Sequence, residues 1–367
     1  LFLYMANVEK IRIKNFKSHE NFLQNIDRNF NHVVVHGRNG VGKTNLLESF
    51  SFFSNTKGMR GDNIEKVIPI MQNPKGDTDV SLVLFSKYNN LNLNLFVSKN
   101  EDLFKKTFYF NDKKTTLANI KNYISFLWLS PYMDKIMYEG QSIKRNFVDK
   151  MISQNNINFY RTLISYKKNI SERINILRNS KDDKWLNIIE EKISENMYEI
   201  LKIRRSYANL INNIINEKLK NFRLVEIKYV NKFIINLEDK NNSIQNFNEK
   251  LKMNRNIDEI SKRTNFGINS DEITFFDTSN QISTVLCSTG EQKSSLLTII
   301  LANCWKLKEE KKEFILLLDE ATSHIDEINF LKLFNEVCKF NTQIWYTGTS
   351  KNLFQVIENK GFFIHLQ

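Results

Sequence analysis

Gly37, Arg38, Asn39, Gly40, Val41, Gly42, Lys43 and Thr44 form the run G-x-x-x-x-G-K-T. That spacing suits one chemistry, the cradling of nucleotide phosphates by successive inward-pointing backbone N–H groups. Glycines serve where a side chain would block the approach. Lys43 would reach the β- and γ-phosphates, and the Thr44 hydroxyl would bind Mg²⁺. A second reactive pair, Asp319-Glu320, ends the apolar run Phe314 to Leu318 in "KKEFILLLDEATSHID". Asp319 would hold Mg²⁺, directly or through water, and Glu320 would polarise the attacking water.

Both sets of groups need elements to hold them. Val33 to His36 reads as a buried strand entering the glycine loop, and Leu46, Leu47, Phe50 and Phe53 mark one face of the helix leaving it. That helix N-terminus favours anionic charge. The unbroken apolar run before Asp319 is expected of a strand buried on both faces of a sheet. Roughly 270 residues separate the two motifs, far more than a compact strand–helix–strand unit requires, so the site is assembled from both ends of the chain around a large insertion.

Residues 80–86, 91–97 and 104–110 read as short strands separated by turn-like "KYNN" and "KNED", an antiparallel meander. From about 120 to 220 the period becomes helical. Leu163, Tyr166, Ile170, Ile174 and Leu177 recur at three- and four-residue steps, and a second series runs from Trp185 to Ile214. Joined by "RNSKDD", they predict an αα-hairpin too short for a long coiled-coil arm. An ordinary core-facing helix pair explains that stripe as well as a binding role does. Residues 220–260 show no firm period, and no repeat of 20–50 residues is visible. The expected divisions are 1–120 (loop and meander), 121–260 (helical lobe) and 261–367 (acidic strand and its neighbours).

The chain of 367 residues carries 53 Lys and Arg against 41 Asp and Glu, a net charge of +12 and a pI near 9.3. That field suits a polyanion, nucleic acid first and an anionic membrane surface second. A Lys-, Asn-, Ile- and Phe-rich composition from an AT-rich genome produces the same bias without a partner. Cys287, Cys304 and Cys338 are scattered and lack C-x-x-C spacing, which points to a reducing cytosol and away from zinc. No apolar run approaches the ~20 residues of a membrane span. "LFLYMANVEK" is too short for a signal peptide, and Met5 is a candidate start. The expected location is cytoplasmic, with no membrane partner.

The segment "CSTGEQKSSLLTIILANCW" (287–305) narrows the reading. Ser288 and Glu291 stand in capping-box spacing before a helix with Leu296, Leu297, Ile300, Leu301 and Cys304 on one face. Ser288 and Gly290 would then lie at a helix N-terminus whose free N–H groups suit an anion. Placed some 25 residues before the acidic strand, S-x-G-[EQ]-Q resembles the signature motif of ABC-type ATPases. With "GRNGVGKTNLLESFSFFSNTKGMR", "FLWLSPYMDKI", "KRNFVDKMI", "LLLDEATSHID" and "QIWYTGTSKNLF" in this order, most of the chain is similar to the RecF family of bacterial recombination proteins.

The resemblance implies an α/β fold: an ABC-type P-loop ATPase head, a mixed sheet with flanking helices, carrying an inserted helical lobe like a shortened SMC head. It implies ATP and Mg²⁺ as cofactors and a weak, DNA-stimulated ATPase in recombinational repair and replication restart. It further implies an ATP-dependent homodimer in which Ser288 and Gly290 of one copy contact the γ-phosphate held by the other. The partners implied are single-stranded and gapped duplex DNA and RecR/RecO-type mediators, with recombinase loading as the outcome. Asp326 corresponds to the D-loop acid, and Thr347-Gly348-Thr349 lie where transporters carry a switch histidine. Arg60, Lys144 and Arg145 fall in family-like segments with DNA-facing or interface roles, although surface solvation accounts for each nearly as well. Two departures stand out: no glutamine is evident around Ser130-Pro131-Tyr132, and "GINSDEI" (267–273) replaces a Gly-Pro-His-Arg-like segment. A transporter ATPase subunit, an SMC-like structural head and a nuclease-linked ATPase are the competing readings.

Overall fold

The computed structural model describes residues 6–54, 57–61, 77–87, 89–100, 103–180, 182–231, 239–320 and 326–367. Met5 and the "ATSHI" portion of the acidic motif lie outside the described residues. In chain order the first elements are β1 (Asn7–Phe16), β2 (His19–Asn25), β3 (His32–His36), α1 (Lys43–Ser51), β4 (Thr78–Ser86), β5 (Asn89–Asn100), β6 (Leu103–Phe110), β7 (Lys113–Thr115), α2 (Leu117–Ile120) and β8 (Ser125–Leu129). There follow α3 (Gln141–Ser153), α4 (Ile157–Asn179), α5 (Asp183–Lys218), β9 (Val225–Val230), α6 (Lys240–Met253), α7 (Arg255–Ser261), β10 (Glu272–Asp277) and β11 (Ile282–Ser283). The chain closes with α8 (Thr289–Glu309), β12 (Phe314–Leu318), α9 (Glu327–Cys338), β13 (Ile344–Gly348) and β14 (Gly361–His365).

Two compact units result. One combines the chain up to Lys135 with Leu296–Gln367, and the other is Ile136–Ser295. The expected limits at 120/121 and 260/261 therefore move. Residues 121–135 join the first unit because β8 pairs with β12. Residues 261–295 join the second because β10 pairs with β9, from Glu272↔Val230 to Asp277↔Val225. The stretch 220–260, without a period in the sequence, contributes β9, α6 and α7, with 232–238 outside the described residues.

The first unit holds a parallel five-stranded sheet, β14-β3-β13-β12-β8, and an antiparallel six-stranded sheet, β2-β1-β4-β5-β6-β7. The parallel strands read Val-Val-Val, Phe-Ile-Leu-Leu-Leu and Ile-Trp-Tyr because both faces are covered. In the antiparallel sheet alternation takes over: Val80, Leu82 and Leu84 are buried while their neighbours are part exposed. The meander expected at 80–110 is β4–β6; β1 and β2 extend it. Leu46, Leu47 and Phe50 of α1 enter one apolar cluster with residues of both sheets.

In the second unit α4 and α5 form the expected hairpin, and α5 runs for 36 residues. Its apolar stripe of Ile189, Ile193, Met197 and Ile200 is buried. Two buried arginines tie the hairpin to the rest. Arg173 donates to Glu190 at 2.9 Å, Asp258 at 2.7 Å and the Leu251 carbonyl at 2.7 Å. Arg204 forks onto both oxygens of Asp149 at 2.8 and 2.7 Å and also reaches Asp271 at 2.6 Å. "GINSDEI" thus has a structural task, since Ile268 supplies a carbonyl and Asp271 a carboxylate to Arg204. No helix among the described residues is long and apolar enough to cross a membrane.

His32 opens β3 with its ring 4.9 Å from Phe334 and its Nδ1 3.0 Å from the Tyr346 hydroxyl. Burial, with Lys360 nearby, pushes its pKa down to about 4. Below pH 6.5 the unfolded chain takes up a proton that folded His32 refuses, so stability falls as pH is lowered through 6.5 towards 4. The full effect is on the order of 3 kcal/mol. His32→Asn should therefore flatten the dependence of Tm on pH across that interval, and a slope equal to wild type would contradict this account.

Candidate functional site: a phosphate loop and a carboxylate pair

The glycine loop joins β3 to α1, and Gly42 is the N-cap of α1 at φ +96°. A Cβ there would sit 2.4 Å from Ser18 Oγ and 2.9 Å from His19 Nε2, so glycine is required by packing as well as by backbone conformation. At Gly37 the constraint is close approach, since a Cβ would fall 2.2 Å from the Leu366 carbonyl oxygen. The β1–β2 turn braces the loop from below. His19 Nε2 lies 3.0 Å from the Gly42 carbonyl, and Asn45 donates to Ser18 Oγ at 2.8 Å.

Lys43 is buried, and its ammonium donates to the carbonyls of Gly37 and Arg38, both at 2.8 Å. Desolvation lowers its pKa, while Glu320 and Asp319 oppose the shift. Thr44 donates to Asp319 Oδ1 at 3.0 Å. Asp319, at the end of β12, is 2% exposed, and burial raises its pKa against the hydroxyls of Thr347 and Thr44. The expected groups from the two ends of the chain therefore meet. Lys43, Thr44 and Glu320 line a cleft of about 560 Å³ with Asn39, Gly40, Gly42, Gly348 and Thr349, and Asp319 is tied to it through Thr44.

Thr347 connects the acidic pair. It lies on β13, between the strands of the two motifs, donates to Asp319 Oδ1 at 2.8 Å and accepts the Glu320 N–H at 2.7 Å. That second bond holds Glu320 at φ +51°, a left-handed conformation uncommon for glutamate. The sequence placed Thr347 in the right segment without this role.

Other groups were missed or take different places. Glu48 of α1 is fully buried, pairs with Lys17 at 2.6 Å and lies 3.6 Å from Arg60 Nε. Arg60 lines the cleft and stacks its guanidinium over Tyr132 at 5.1 Å. The surface role offered for Lys144 is corrected: it is 5% exposed within α3, so burial withholds it from solvent. Arg145 donates to the Asp271 carbonyl at 2.6 Å. Asp326 is the N-cap of α9, accepting the Asn329 N–H at 2.7 Å. Ser288 and Glu291 form the expected capping box before α8, with the Ser288 N–H bonded to Glu291 Oε2 at 2.8 Å and therefore not free. A Cβ on Gly290 would meet no atom within 4 Å.

A parallel sheet with its phosphate loop after one inner strand, its acidic pair after another, and a capped S-x-G-E-Q helix defines an ABC-type P-loop ATPase head. The chain belongs to the RecF/RecN/SMC N-terminal domain family, whose model matches residues 7–363. It is 29% identical over 356 residues to the DNA replication and repair protein RecF of Rickettsia conorii, covering 95% of each chain. The RecF protein of Rickettsia typhi is 28% identical over 371 residues, covering 100% of this chain and 99% of its own. The fold is similar to that of the recombination mediator protein RecF solved with ATP, with a TM-score of 0.83, 21% identity and coverage of 99% and 98%. It is also similar to an Smc head domain from Pyrococcus furiosus, with a TM-score of 0.55, 14% identity and coverage of 99% and 94%.

The Thr347 bridge has a measurable consequence. Thr347→Val keeps the shape but strips the Glu320 N–H of its acceptor and Asp319 of a donor. Urea unfolding should show a loss of roughly 1–2 kcal/mol. An unchanged midpoint and slope would remove Thr347 from this role.

Proposed function

We propose that this protein is an ATP-dependent DNA-binding protein of recombinational repair and replication restart, working as a nucleotide-gated homodimer. The observation that carries the reading is the convergence of Lys43, Thr44 and Glu320 in one cleft, with Asp319 bonded to Thr44, from both ends of a chain of the RecF/RecN/SMC family. The similarity to RecF proteins, one of them solved with ATP, supports ATP as the nucleotide.

In this reading the loop N–H groups bind the phosphates, and Lys43 exchanges its bonds to the Gly37 and Arg38 carbonyls for β- and γ-phosphate oxygens. Thr44 and Asp319 are hard oxygen donors 3.0 Å apart, a set that fits Mg²⁺ completed by phosphates and water. When bound, that cation would offset charge on the phosphate oxygens. Glu320 orients a water for attack on the γ-phosphorus and accepts its proton. ADP and phosphate are the products.

Ser288 and Gly290 act on the nucleotide of a second copy. In the first turn of α8 the Glu291 N–H is capped by the Ser288 hydroxyl, whereas the N–H groups of Thr289 and Gly290 precede the first intrahelical bond, and the open space around Gly290 leaves room for close approach. Asp326, the counterpart of the D-loop acid in the family resemblance, is assigned to the same dimer contact. DNA, single-stranded or gapped duplex, is held by the +12 chain through its phosphates, which makes binding salt-sensitive. RecR/RecO-type mediators are the protein partners, recombinase loading the outcome, and the cytoplasm the setting. Hydrolysis is weak and DNA-stimulated, which makes it a timer for release.

Sedimentation with ATP and a gapped duplex tests the reading. Glu320→Gln keeps Asp319 but loses the proton acceptor, so it should persist as an ATP-bound dimer on DNA and hydrolyse at least tenfold more slowly. Wild-type turnover in this variant, or sedimentation indifferent to ATP, would count against it. Mixing addresses the shared sites. Lys43→Ala should lose ATP binding, whereas Ser288→Arg should keep it and lose dimerisation and hydrolysis. A mixed pair then carries both lesions in one composite site and neither in the other, so partial activity should return. Mixed dimers without activity would contradict sites that work independently.

A further inference from the structure

Glu291 serves two partners at the start of α8. Its Oε2 accepts from the Ser288 N–H at 2.8 Å and from the Ser288 hydroxyl at 2.9 Å. Its Oε1 accepts from Arg223 Nη2 at 2.9 Å. The same Arg223 nitrogen also donates to Asp277 Oδ2. Asp277 is fully buried at the end of β10 and is held further by the N–H groups of Ser279 and Asn280, at 2.8 and 3.1 Å. Arg223 is thus anchored on a buried carboxylate and presents its remaining charge to a part-exposed one.

A carboxylate is a poor neighbour for a hydroxyl that must meet a phosphate. Bare, Glu291 would repel an approaching γ-phosphate and would hold the Ser288 proton that the phosphate oxygen needs. We infer that Arg223 is a positioning residue of the signature motif: its guanidinium neutralises Glu291 and loosens that carboxylate's hold on Ser288, so that Ser288 can turn to the γ-phosphate of a nucleotide bound by a second copy. This rests on the trans-acting role of Ser288 proposed above. The sequence pairs Glu291 with Ser288 through local spacing, while Arg223 comes from before β9 and is joined to them only by the fold.

The test is a charge-specific rescue, read in the KM for ATP at limiting protein concentration. Arg223→Gln keeps a donor for Asp277 but removes the charge. It should raise KM by roughly three- to fivefold, the scale of one exposed charge contact, with kcat little changed and with ATP affinity of the isolated chain unaltered. Arg223→Lys should retain most of the wild-type KM. Adding Glu291→Gln, whose amide still caps the helix, should bring Arg223→Gln back to within about twofold of wild type, because no carboxylate is left to neutralise. Glu291→Gln alone leaves the Arg223–Asp277 pair intact and should lower KM, which keeps the inference testable if Arg223→Gln unfolds. A double variant no better than Arg223→Gln, or a Glu291→Gln chain with raised KM, overturns the positioning role. Ser288→Arg is the control. If it hydrolyses ATP normally, the trans reading itself fails; if it is inactive while the Arg223 and Glu291 variants match wild type, only the role of Arg223 fails.

Discussion

The Thr44 hydroxyl and the Asp319 carboxylate lie 275 residues apart in the chain and 3.0 Å apart in space. That contact exists only if β3, β13 and β12 align in register, with Thr347 opposite Val35 and Leu318 opposite Tyr346. A slip of one residue on β13 would turn Thr347 to the other face of the sheet. Asp319 would lose a donor and the Glu320 N–H its acceptor. The parallel sheet is thus more than a scaffold. Its hydrogen-bond ladder sets the geometry of the cleft, and the Phe-Ile-Leu-Leu-Leu run of β12 secures the ladder by burial on both faces.

Costs gather around this contact, as expected of a site built for charged ligands. Lys43 and Asp319 are both desolvated, Glu320 is held in a left-handed conformation, and Gly42 occupies a position where any side chain would collide with Ser18 and His19. Buried Glu48, one turn along α1 from Thr44, draws in Lys17 and Arg60, so charge balance extends beneath the loop. The cationic end of Lys43 rests on two carbonyls, which phosphate oxygens would replace in the function proposed above. Pre-organisation of this kind lets binding exchange hydrogen bonds without leaving an ammonium bare in a dry site.

In the second unit, charge is used differently. Arg173 and Arg204 are buried and saturated by carboxylates and carbonyls, an arrangement whose disruption costs about 3–5 kcal/mol while its presence adds little net stability over an apolar core. These contacts join four helices, Arg173 linking α4 to Glu190 of α5 and Asp258 of α7, and Arg204 linking α5 to Asp149 of α3. Arg223 repeats the device nearer the surface, with one buried and one part-exposed acceptor.

Features legible in the sequence alone share a physical basis: interactions between residues a few positions apart. The G-x-x-x-x-G-K-T loop, the capping box of Ser288 and Glu291, the meander and the α4–α5 hairpin follow from turn chemistry, capping and apolar period. The nucleotide class of the site could be read from them, with Lys43, Thr44, Asp319 and Glu320 as its expected groups, whereas the fold class came from the resemblance to the RecF family. What depended on partners distant in the chain could not. Lys17 with Glu48, Thr347 with Asp319, Arg204 with Asp149 and Arg223 with Glu291 carry no local signal, since nothing in a side chain's neighbours says which remote carboxylate it will meet. The unit limits moved for the same reason, because pairing of β8 with β12 and of β10 with β9 assigns segments that local period leaves unplaced. Lys144 shows the reverse failure: a charged residue in a basic stretch looks solvated, and only the packing of α3 decides that it is buried.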